Sequence, residues 1–204
     1  MQKRSAAGRR YIARASAAAG VGLGLLGGAG CKKGDAPATN ELVAEAKRLT
    51  QGYQQALKSE LTDALGSGGP QAAIEVCKLE APKIAARVLD AERPGWSIGR
   101  TALRVRNPNN APSDWQRRGL EAFQERLAQN ADPNELNWHA ADGATFRYMR
   151  PIMMGGLCVV CHGETEGLQP EVKQRLSQLY PDDQATGFSV GELRGAFVVT
   201  ATSK

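Results

Sequence analysis

No aspartate or glutamate occurs in the first 30 residues of this chain, whereas Lys3, Arg4, Arg9, Arg10 and Arg14 all do. A basic stretch followed by Ala-, Gly- and Leu-rich residues from Ala15 to Gly30 has the layout of a secretory signal peptide. The apolar part is too short and too rich in glycine for a mature membrane span, which needs about 20 apolar residues. Histidine is scarce, with two in 204 residues, and cysteine occurs four times. No second close pair of ligands accompanies the one Cys-x-x-Cys pair, which counts against a zinc ribbon. No internal repeat recurs at a fixed period, so a solenoid is excluded. Excess charge is missing as well. The whole chain has 26 basic and 21 acidic residues, and removal of the five leader basics leaves 21 of each. A neutral mature chain gives no electrostatic footing to a nucleic-acid partner.

What is present is concentrated at Gly156-Leu157-Cys158-Val159-Val160-Cys161-His162-Gly163-Glu164. The Cys158-x-x-Cys161-His162 core is the c-type haem attachment signature. Two thiols at this spacing add to the two vinyl groups of one porphyrin, and the adjacent imidazole reaches the iron as proximal ligand. A thioredoxin-like pair is the first rival, but it wants a strand leading into a helix, and here Gly155 and Gly156 come before the motif. The second rival is a Cys3His zinc site drawing on Cys77, Cys158, Cys161 and one histidine. Two free buried thiols are a weak third, because free thiols oxidise in an exported chain.

The leader carries further signals. Leu25-Leu26-Gly27-Gly28-Ala29-Gly30-Cys31 resembles a bacterial lipoprotein processing site, with Cys31 as the lipidated residue and Gly28 departing from the usual Leu. Arg9-Arg10-Tyr11-Ile12 looks like a degenerate twin-arginine signal. Attachment of haem outside the cytoplasm to an unfolded chain favours the general secretory route. The expectation is a signal peptide over 1–30, a tether over 31–40 and one domain over 41–204. Its location would be the periplasm of a Gram-negative-type bacterium, on a membrane only through a lipid anchor.

Within the domain, Leu42, Ala46, Leu49, Tyr53, Ala56, Leu57, Leu61 and Leu65 recur at three and four, which predicts an amphipathic helix over 41–65 stopped by Gly66, Gly68 and Gly69. Pro70 suits the first turn of a second helix with Ile74, Cys77, Ala81, Ile84, Ala85 and Val88 on one face, kinked or split at Pro82. Alternation predicts a strand over 98–106, and Asn107 to Pro112 reads as a loop. Ser113 and Gln116 form a capping box ahead of a helix carrying Trp115, Leu120, Phe123 and Leu127. His139 falls in a polar loop. Strands are expected over 145–152 and 195–201, with a short helix over 170–179. Together these give an α+β fold on an antiparallel sheet.

With Cys158 and Cys161 taken by thioethers and Cys31 by lipid, Cys77 is an odd thiol without a disulfide partner. It is either a small buried hydrophobe or an axial ligand on the iron. His139, Met149, Met153 and Met154 compete for that axial position, as does water. Arg100, Arg104, Arg106, Arg147 and Arg150 are candidates to pair with haem propionates, against the plainer reading of a solvated strand face.

Longer motifs bear on the choice. The run Gly69 to Cys77, Trp96-Ser97-Ile98-Gly99-Arg100-Thr101 with Arg104-Val105-Arg106-Asn107-Pro108, Tyr148-Met149-Arg150-Pro151-Ile152 before the haem motif, then Tyr180-Pro181, Gly187-Phe188 and Arg194-Gly195-Ala196 resemble a bacterial family of exported c-haem domains. That family was long regarded as a domain of unknown function. It occurs as single-domain periplasmic or lipid-anchored proteins and as the sensory region of some histidine kinases. The resemblance covers nearly all of residues 41–201. It implies a PAS-like fold, one covalent haem c, His162 as proximal ligand and Cys77, in its Val-Cys motif, as distal ligand.

A thiolate donates charge and favours the ferric state, so a His/Cys haem sits at low potential. The expectation is a redox or gas sensor module, with periplasmic electron transfer as the alternative and an enzyme disfavoured. A redox or signalling partner would have to supply any output.

Overall fold

The computed structural model describes residues 39–89 and 93–202. The expected leader over 1–30, the lipidation candidate Cys31 and most of the tether lie outside the described residues. Helix α1 spans Thr39–Glu75, and its heptad-like apolar stripe buries Ala46, Leu49, Tyr53 and Ile74. Thr50 shares that face because its hydroxyl donates to the Ala46 carbonyl at 2.9 Å, which satisfies the one polar atom a core threonine brings. The three-glycine stop shrinks to one residue: Gly69, at φ 65° and ψ −166°, breaks the helical path, and the chain resumes helix at Pro70. Only glycine takes that φ without a steric penalty.

The second helix is not split at Pro82. A π-helical turn, Val76–Glu80, leads into α2, Ala81–Leu89, and the Ala81 N–H donates to the Val76 carbonyl five residues back. Proline has no N–H to donate and its ring crowds the preceding turn, so the helix widens by one residue there and continues.

Among the described residues four antiparallel strands follow: β1 (Trp96–Thr101), β2 (Trp138–Asp142), β3 (Thr145–Met153) and β4 (Leu193–Thr202), in the order β1-β4-β3-β2. The fold class is α+β with an antiparallel sheet, as the sequence implied. Phe146, Tyr148, Val199 and Ala201 point from the sheet to Ala46 of α1, and Phe197 meets Tyr53, Ile84 and Ala85. The alternate residues Met149, Ala196 and Val198 face the other way, onto Leu120 and Phe123 of α3 (Asp114–Ala128). Gly119 lets α3 lie directly on the sheet, since a Cβ there would come within 2.4 Å of the Met149 sulfur. The Ser113–Gln116 capping box starts α3 as read, with the Ser113 N–H donating to Gln116 Oε1 at 2.9 Å.

Two strand assignments change. His139 lies on β2 rather than in a loop, because Asp142-Gly143-Ala144-Thr145 closes a tight hairpin with Asp142 opposite Thr145. Strand β1 ends at Thr101, five residues early. The Val105 carbonyl there accepts from the Gln184 N–H at 2.9 Å, so the segment after β1 pairs with a loop instead of with the sheet. Between β3 and β4 the chain forms a single turn, α4 (Val159–His162), and α5 (Pro170–Leu179), the latter as expected.

Candidate functional site

The expected attachment residues come together in one cavity. It lies on the α1 side of the sheet and is partly open to solvent, with about 1100 Å³ of free space when the solvent at its mouth is included. Leu61, Leu65, Ala73 and Ile74 of α1 form its apolar wall. Cys77 enters from the π turn, and Cys158, Cys161 and His162 from α4 and the residue before it. All three described cysteines are free thiols and half-buried.

The turn of α4 is tied down at every step. The Cys158 N–H donates to the Gly155 carbonyl at 3.0 Å, and the His162 N–H to the Cys158 carbonyl at 3.0 Å. The His162 ring is oriented by a 2.6 Å hydrogen bond between Nδ1 and the Ala185 carbonyl. A carbonyl can only accept, so Nδ1 carries the hydrogen and Nε2 keeps its lone pair for a metal. Burial, followed by the charges of Arg106 and Arg194, holds the imidazole well below its ordinary pKa and therefore neutral. Burial also pushes the Cys161 thiol up, against the pull of Arg106.

Arg106 underlies this arrangement. Its Nη2 donates to the Cys161 carbonyl at 2.6 Å and to the Ala185 carbonyl at 3.1 Å, and its Nε to Asp183 Oδ2 at 2.9 Å. Asp183 in turn accepts the Ala185 N–H at 2.8 Å. The pair is nearly solvent-free, with side-chain exposures of 9% and 10%.

The Cys77 side is held more lightly. Pro82 leaves the carbonyls of the preceding turn one N–H short, and the Cys77 carbonyl accepts instead from Arg100 Nη2 at 3.5 Å. Tyr180, 5% exposed, closes the wall nearby, with the Lys78 ammonium over its ring.

Of the arginines read as propionate partners, Arg100 and Arg106 line the cavity. Arg104 donates to the Gln184 and Gly187 carbonyls and packs on Phe188 at 4.0 Å from the ring centroid. Arg147 lies over Trp115, and Arg150 donates to the Thr50 carbonyl at 3.2 Å, so neither serves the cavity. Arg194 does, and its part in the site was not evident from residue chemistry. Burial and the charges of Arg106 and Arg100 push its pKa down to about 10, and its Nε is buried with no hydrogen-bond partner. Arginine keeps its proton regardless, so Arg100, Arg106 and Arg194 make a positive wall in which Asp183, paired with Arg106, balances one of three charges.

The other axial candidates do not reach the cavity. His139 is exposed on β2 with Nδ1 beside Asn137 Oδ1 at 3.0 Å. Met149 is sealed beneath α3, and Met154 packs with Ala185 and Phe188. Among the described residues no group of three or more His, Cys, Asp or Glu side chains gathers closely enough to hold a metal ion, so a Cys3His tetrahedron is not assembled. Among them, too, no helix is long and apolar enough to cross a membrane.

The model of the Tll0287-like family matches residues 33–202. The chain belongs to the Tll0287-like family. Among solved structures, it is similar to one titled "Crystal structure of the cyanobacterial heme-protein Tll0287", at 24% identity and a TM-score of 0.58, over 82% of this chain and 98% of that one. At that identity the likeness speaks for the fold. No curated protein matches the chain.

Proposed function

We propose that this member of the Tll0287-like family binds one haem c, covalently through Cys158 and Cys161, in a PAS-like domain, and acts as a redox or gas sensor module. The observation that carries the reading is convergence: Cys158, Cys161, His162 and Cys77 line one apolar cavity, with His162 Nε2 left free for iron. The name of the structural relative, a heme-protein, agrees with it.

The residues fit the group in three respects. Two thiols at the attachment spacing border the cavity, a neutral imidazole is oriented to ligate, and Arg100 and Arg194 offer positive charge where anionic propionates need it. A haem bound here would supply a one-electron couple and could bind a small diatomic ligand. His162 would hold the iron from the firmly braced turn, and Cys77, on a turn whose spare carbonyl is held by a long contact to Arg100, would be the ligand free to withdraw. In this reading the protein is exported, tethered through Cys31, is not an enzyme, and passes its signal to a periplasmic partner.

The test is expression in a host that matures c-type cytochromes, followed by an absorption spectrum and an intact mass. One covalently added haem per chain is expected; a mass without it overturns the reading. On the reduced protein, rapid CO or NO uptake supports sensing, whereas inert six-coordination with fast electron exchange would assign the haem to electron transfer.

A further inference from the structure

Asp183 and Arg106 form a buried ion pair whose other side-chain hydrogen bonds run to Cys161, the neighbour of His162, and to Ala185, the hydrogen-bond partner of the His162 ring. We infer that this pair is a positioning device that tunes the electron donation of His162 through the Ala185 carbonyl. The inference rests on the haem reading above.

The Ala185 carbonyl accepts two hydrogen bonds, from His162 Nδ1–H at 2.6 Å and from Arg106 Nη2 at 3.1 Å. The second donor is cationic. It draws density from the oxygen, so the carbonyl accepts from the imidazole less strongly than an unshared one would. A weaker Nδ1–H bond leaves Nε2 less basic, and a less basic proximal ligand favours the ferric state less. The Arg106 charge acts in the same direction, because a cation near the iron favours the reduced form. Asp183 opposes both effects: its Oδ2 binds Arg106 Nε at 2.9 Å, and its negative charge offsets part of the guanidinium's. Through Oδ1 it also accepts the Ala185 N–H at 2.8 Å, which fixes the peptide whose carbonyl His162 uses. Arg106 further donates to the Cys161 carbonyl at 2.6 Å, so one guanidinium connects the attachment turn to the ligand's acceptor.

Opposite signs separate this role from simple bracing. Arg106→Gln removes the cation and exposes the Asp183 charge, so the reduction equilibrium moves toward the ferric form by about tenfold, equal to about 59 mV for one electron. Asp183→Asn moves it the other way by a smaller factor. Redox titration of the haem-bearing fraction of each variant reads both. Potentials that coincide with the parent's, or that shift in the same direction in both variants, overturn the inference. Where Arg106→Gln yields no haem-bearing protein, the direction of the Asp183→Asn shift decides. A second readout needs no haem: in the haem-free chain the His162 Nδ1–H proton resonance moves downfield in Arg106→Gln as its bond to Ala185 strengthens, and an unmoved resonance overturns the inference. Failure of the haem reading shows separately, as a parent protein whose mass lacks the cofactor.

Discussion

The two sides of the cavity are built to different standards. Around Cys158, Cys161 and His162, backbone hydrogen bonds, a buried ion pair and an arginine shared among three acceptors fix each group. Around Cys77 the helix is widened to a π turn, and the thiol's own carbonyl is satisfied by a contact at the 3.5 Å limit of a hydrogen bond. Networks of satisfied buried polar groups specify a single arrangement, while a π turn stores a slack residue that the helix can expel. The cavity thus has one densely bonded wall and one lightly bonded wall.

The comparison can be broken at several points. The largest effect is expected from Cys77→Ser: with haem attached, it removes the distal thiolate and converts a low-spin ferric spectrum into one of another spin state or ligand, while the mass still shows one haem. An unchanged low-spin ferric spectrum would show that Cys77 is not the ligand. Pro82→Ala comes next. It restores an N–H to the turn and raises stability by up to about 3 kcal/mol, and it slows hydrogen exchange over Val76–Glu80. Equal exchange in parent and variant would mean that Pro82 is not what widens the helix. The smallest effect tests whether the asymmetry is local. Ser113→Ala removes the cap of α3, on the opposite face of the sheet, and costs about 1 kcal/mol in urea denaturation, leaving the haem spectrum as in the parent; a spectral change would show that the two faces are coupled.

The densely bonded wall was mostly legible from the sequence and the lightly bonded one only in part. Cys158, Cys161 and His162 are neighbours in the chain, so their spacing carries their chemistry whatever the fold. Cys77 stood out by residue chemistry because it had no partner, and the family resemblance pointed to it through the Val-Cys motif. The helices read well because their stripes are long, and Gly69 and Pro82 were recognised as breaks, although a proline's local effect depends on whether the packed helix on either side can absorb one extra residue. Strand β2 escaped because Trp138-His139-Ala140-Ala141-Asp142 has no clean alternation, yet the Asp142-Gly143 turn signal was there. Asp183, Ala185 and Arg194 could not be singled out. Their roles arise from a loop folding back some twenty residues to a histidine ring and from the start of β4, and local pattern carries neither distance.

The sheet order has a kinetic meaning. Strand β4, Leu193–Thr202, lies between β1 and β3 although it comes last among the described strands, so β1 has no partner in the sheet until that segment has been synthesised. Arg194 and Gly195, which line the cavity, arrive with it. Pairing across roughly a hundred residues is slow. A growing chain therefore exposes Cys158 and Cys161 on an open segment until the last of the described strands brings Arg194 and Gly195 to complete the cavity around them.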